Sequence, residues 1–133
     1  MSPEQLLGQL DEDGQTVVAD FEAGLGTISR MDPGNIDVLV VVAEPTQKSI
    51  QVALRALALV AERQLGRVVL VANRLVAEGD QEMMRQAFPG MELVVVPDDP
   101  AVRAADMAGQ APFDAAPQAP AVLALSRLAD SLL

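Results

Sequence analysis

The chain has no histidine and no cysteine, and its nine basic residues include one lysine, Lys48. An imidazole base, a thiolate nucleophile, a zinc finger and a disulfide framework are therefore excluded within these residues. Carboxylates, hydroxyls, backbone amides, arginines and Lys48 remain, and their positions matter more than their number. VVADFEAGLG sets Asp20 directly after a β-branched run and follows it with Gly24 and Gly26. An aspartate so placed can hold a magnesium ion through water, and a glycine lets its amide approach a phosphate closely. The same pattern also describes an acid capping a tight turn. Three more polar groups follow apolar runs: Glu44 to Ser49 after VLVVVA, Asn73-Arg74 after VVLVA, and Pro97-Asp98-Asp99 after ELVVV. Asn73 is equally a strand-end turn former and Pro97 a plain strand stop. Lys48 reads as a solvated cation on a helix face.

These groups can meet if the runs are parallel strands, because ligands of open parallel sheets sit beyond the strands' C-terminal ends. Strands are expected at 15–19, 38–43, 67–73 and 92–96. The run 38–43 is apolar at every residue, as suits a strand covered on both faces. Helical patterns alternate with them. Ser2 and Pro3 open a short helix over 3–10. In PTQKSIQVALRALALVAERQLG, Lys48, Gln51, Arg55 and Glu62 share one stripe, and Ile50, Leu54, Leu57 and Ala61 share the apolar one. Gly66 is placed to stop that helix. Pro89-Gly90 ends a helix over 80–88, and Asp99-Pro100 opens one through Met107. A Pro- and Ala-rich loop over 108–120 precedes a last helix over 121–132. The expected fold is one α/β domain over 1–133, an open, mostly parallel sheet of about four strands with helices on both faces.

Composition agrees with a folded, non-nucleic-acid-binding chain. The 133 residues weigh 14.0 kDa, enough to bury about two-thirds of the unfolded surface. Half are hydrophobic, which excludes a disordered chain. There are three Phe, no Trp and no Tyr, and the net charge is −10, so aromatic stacking platforms and a cationic groove are both lacking. No apolar run approaches the ~20 residues of a membrane span. MSPEQLLGQLDEDG lacks the basic and long apolar regions of a secretion signal. A cytoplasmic location is expected.

Taken together and in order, VVADFEAGLG, DVLVVVAEPTQKS, VVLVANR and VVVPDDPAVRAAD resemble the MinD/ParA-type P-loop ATPases of the SIMIBI class. The likeness covers nearly all of residues 15–133 and leans toward the CooC-type ATPases of carbon monoxide dehydrogenase maturation, where a DxEAG-like segment follows the strand. The resemblance implies a Walker B role for Asp20, with magnesium held through water, and a phosphate-sensing role for Gly24. It implies that Asn73 reads the adenine edge with Arg74 beside it, and that Pro97, Asp98 and Asp99 belong to the loop around the base. ATP or ADP with magnesium would be the cofactor.

The sequence also departs from that family. A Gly-rich KGGxGK(S/T) loop, which grips the phosphates, does not occur in these residues. The cysteine pair that CooC-type proteins use for nickel is missing, so nickel binding is not expected. The first expectation is a switch remnant or protein-interaction module that binds nucleotide weakly and does not hydrolyse it. The alternative is one half of a split ATPase, completed by a chain carrying Walker A. A third reading is a flavodoxin-like regulatory domain; it needs a lysine at a late strand end, where Arg74 and Pro97 stand instead. In the family, the P-loop strand lies between the strands that resemble 15–20 and 36–43. VLVVVA would then be an open edge, and either a homodimer or a complex with the missing N-terminal half is expected.

Overall fold

The computed structural model describes residues 15–21, 25–34 and 36–133. The helix expected over 3–10 lies outside the described residues. Among those described, the elements run α1 (Leu25–Ser29), β1 (Val38–Ala43), α2 (Gln47–Arg63), β2 (Arg67–Leu75), α3 (Asp80–Ala87), β3 (Glu92–Pro97), α4 (Pro100–Met107), α5 (Pro112–Ala115) and α6 (Pro120–Leu132). The strands form one open parallel sheet in the order β1-β2-β3, with Val38 opposite Arg67 and Val69 opposite Glu92.

β2 is the centre of the core. Leu70 and Ala72 point to one face, where they pack with Ile50 and Ala53 of α2 and Met84 of α3. Val69 and Val71 point to the other, against Val96 of β3 and Ala121 and Leu128 of α6. This alternation is the period-2 geometry of a strand with both faces covered. Helices thus lie on both faces, as the sequence pattern requires.

Three differences from the sequence reading have physical causes. Residues 15–20 form no strand, and all of them are exposed. A strand has no hydrogen bonds of its own and exists only beside a paired neighbour. Here the segment is separated from β1 by a cleft. The sheet therefore has three strands among the described residues, where about four were expected. The buried stripe of α2 is Ile50, Ala53, Ala56 and Val60, whereas Leu54 is 43% exposed and Ala61 is exposed too. Alanines on the inner stripe let the helix approach the sheet closely, and Leu54 is turned away. The loop over 108–120 contains the short helix α5.

Helix α2 ends at Arg63, before Gly66. Gln64 adopts a left-handed conformation with φ of 55°. Its amide donates to the Ala61 carbonyl at 3.3 Å, and the Leu65 amide donates to the Val60 carbonyl at 3.2 Å. This is the Schellman pattern, sealed by Val60 and Leu65 packing with Met31 in one buried cluster. Gly66 then makes the turn into β2. Its φ is 76°, and a Cβ there would lie 3.3 Å from the carbonyl oxygens of both Ile36 and Asp37.

Candidate functional site

The C-terminal ends of β1, β2 and β3 converge on Arg74. β2 and β3 pair regularly from Val69↔Glu92 to Asn73↔Val96, and the register then slips so that Leu75 faces Pro97. Arg74 is the extra residue of this bulge, and its φ of 62° is left-handed. A bulge re-aims the side chains around it. Leu75 goes into the core at 9% exposure, and Arg74 turns out over the strand ends. Its Nη1 lies 3.3 Å from Glu44 Oε1, and its Nε lies 3.6 Å from Asp98 Oδ1. The backbone is tied in as well, since the Asp98 amide donates to the Leu75 carbonyl at 2.9 Å.

The loop after β1 is fixed by hydroxyls. Thr46 caps α2 by accepting from the Ser49 amide at 3.2 Å, and Ser49 Oγ accepts from the Glu44 amide at 2.8 Å. Glu44 is thus held at the strand end, facing Arg74. The loop after β3 is fixed by Asp99. One of its carboxylate oxygens accepts from the Ala101 amide and the other from the Ala121 amide, each at 3.0 Å. A single side chain caps α4 and joins its start to that of α6.

The structure therefore brings together Asn73, Arg74, Pro97, Asp98 and Asp99, all singled out from the sequence. Asn73 is half-buried, and no side-chain hydrogen bond among the described residues uses its amide. That amide stands beside Arg74 and the Pro97-Asp98 turn, and it can both donate and accept. Both Asp99 oxygens are engaged by backbone amides, so its part is to hold the loop. Asp20 sits apart, exposed on the segment that lines the cleft along β1, together with Glu44, Lys48 and Ser49. Gly24 lies outside the described residues. No group of three or more His, Cys, Asp or Glu among the described residues could hold a metal ion. Glu44 is the residue whose part the sequence reading left unassigned. Its place directly after an apolar strand was visible, but its pairing with Arg74 depends on the bulge.

At the opposite end of the sheet, Arg67 Nε donates to Glu92 Oε2 at 3.0 Å across β2 and β3. This hydrogen bond holds the Glu92 carboxyl below its ordinary range and the Arg67 guanidinium above its own.

No family model matches the sequence. The carbon monoxide dehydrogenase accessory protein CooC of Rhodospirillum rubrum is 30% identical over 104 residues. The match takes in 77% of this chain and 40% of that protein, so the chain spans about two-fifths of the relative's length. Over those residues the chain is similar to CooC. No described helix is long and apolar enough to cross a membrane.

Proposed function

We propose that the chain is the base-binding part of a CooC-like, MinD/ParA-type nucleotide switch. Asn73 reads the adenine edge, Arg74 and Asp98 border it, and Pro97 lines the loop around the base. The observation that carries this reading is the bulge at Arg74, which gathers Asn73, Arg74 and Asp98 at the C-terminal strand ends. Ligand sites of open parallel sheets lie at that edge, and the distant relationship to CooC supplies the ligand class. Asp20 takes the magnesium ion through water when nucleotide binds, and Gly24 senses the terminal phosphate. Nucleotide binding is weak in the isolated chain, because Lys48 is the one lysine and a Gly-rich phosphate loop does not occur in these residues. The chain acts by binding rather than by hydrolysis.

The open edge of β1 supports a second reading, in which a partner carrying Walker A completes a split ATPase. The two differ in whether hydrolysis appears when such a partner is added.

Calorimetric titration with ATP and GTP tests the base assignment. Adenine nucleotide is expected to bind more tightly, and Asn73→Ala to remove the preference, since the amide pairs with the N6 and N7 edge. Equal affinities for ATP and GTP would remove the case for Asn73.

A further inference from the structure

Asn73 and Arg74 are chain neighbours with opposite base preferences. A side-chain amide pairs its two polar atoms with N6 and N7 of adenine, whereas an arginine fork pairs two N–H donors with O6 and N7 of guanine. The bulge after Asn73 sets both residues at the same strand end. The Arg74 side chain is 56% exposed, so a ligand at that end reaches it. A guanidinium left open beside Asn73 would therefore draw in the wrong purine.

The guanidinium is not left open. It has two forks, one made by Nε with Nη2 and the other by Nη1 with Nη2. Glu44 Oε1 stands 3.3 Å from Nη1, and Asp98 Oδ1 stands 3.6 Å from Nε. One nitrogen of each fork thus faces a carboxylate, and neither fork is complete for a base. Both carboxylates are placed by backbone bonds that do not involve Arg74. The Glu44 amide donates to Ser49 Oγ at 2.8 Å, and the Asp98 amide donates to the Leu75 carbonyl at 2.9 Å.

We propose that Glu44, with Asp98, determines which purine the site takes: by occupying Arg74 it denies guanine a fork and leaves the Asn73 amide to select adenine. That role rests on the base-binding part proposed for Asn73. Glu44 acts through Arg74 and touches no base, so it is a positioning residue. Removing Glu44 completes the Nη1–Nη2 fork, and removing Asp98 completes the Nε–Nη2 fork. Arg74 itself is not needed for adenine, and glycine suits its φ of 62°.

The test titrates the whole chain with AMP, GMP and 7-deaza-GMP, followed by the amide resonances of residues 73–75. The parent chain is expected to prefer AMP. Glu44→Ala should lower the ratio of AMP to GMP affinity at least about fivefold, the smaller end of what one bidentate base contact discriminates. The Ser49 bond survives in that variant, because it uses the backbone amide of residue 44. Asp98→Ala should move the ratio the same way, which gives a second reading should Glu44→Ala fail to fold. Adding Arg74→Gly to Glu44→Ala should restore the parent ratio. The gain should also be missing with 7-deaza-GMP, which lacks the N7 acceptor; a merely structural effect of Glu44 would not distinguish the two guanine nucleotides. If the parent prefers AMP and neither carboxylate variant changes the ratio, the role of Glu44 is overturned and that of Asn73 stands. A gain that is equal for GMP and 7-deaza-GMP, or that persists without Arg74, overturns it too. If the parent binds AMP and GMP equally, or binds neither, the base-binding reading fails and this one with it.

Discussion

Arg74 and Asp99 show how single residues set the site. Arg74 occupies a left-handed backbone position that costs a non-glycine residue about 1–2 kcal/mol, and its pairing with Glu44 and Asp98 accompanies that conformation. Asp99 satisfies two helix-start amides at once, so Asp99→Ala is expected to lower stability by about 1–3 kcal/mol. Asp99→Asn, with one oxygen left to accept, should fall between the two; urea unfolding midpoints give the order. The Arg67–Glu92 pair sets a pH dependence. The folded carboxyl titrates below its ordinary range because Arg67 hydrogen-bonds it. The pair's contribution is therefore fully present above the ordinary carboxylate range and is lost as pH falls through the lowered value. The difference in unfolding midpoint between the parent chain and Glu92→Gln should hold steady from neutral pH to mild acid. It should vanish at lower pH, and a difference that grew on acidification would contradict the pairing.

At the scale of elements, the link from α2 to β2 contains two left-handed residues with opposite requirements. Gln64 carries a side chain where glycine would be unstrained, and it is exposed. Gln64→Gly is expected to raise stability by about 0.5–1 kcal/mol. Gly66 faces the carbonyls of Ile36 and Asp37 as well as needing its φ of 76°. Gly66→Ala should therefore cost at least about 1–2 kcal/mol. Thermal unfolding of the two variants should move in opposite directions. If both moved together, the turn would not have the conformation described. The glycine was legible as a helix stop, but the stop itself is the Schellman turn at Gln64. Its determinant is the burial of Leu65 against Val60, two positions that local propensity does not connect.

At the scale of the whole molecule, the three-stranded sheet gathers the candidate site at its C-terminal strand ends. Phosphoryl transfer depends on preorganised donors around the transferred group, and those belong to a phosphate loop that these residues do not contain. The isolated chain is expected to release no phosphate from ATP above background, with or without magnesium. A magnesium-dependent turnover abolished by Asp20→Ala would overturn that expectation.

Much of this was already determined by local pattern. The apolar run VLVVVA defined β1 at its observed bounds, Asp99-Pro100 opened α4, and Pro89-Gly90 followed the end of α3, because caps, prolines and hydrophobic period act within a few residues. The gathering of Asn73, Arg74, Asp98 and Asp99 followed from parallel strand order, which alternating strands and helices imply. What only the tertiary structure decided depends on residues far apart in the chain. Residues 15–20 had the composition of a strand and formed none, because a strand is made by its neighbour's hydrogen bonds. The inner stripe of α2 passed to its alanines, because helix-to-sheet distance selects among faces that periodicity leaves nearly equal. The turn of Arg74 toward Glu44 needed the slip between β2 and β3, a property of the pair of strands and of neither sequence alone.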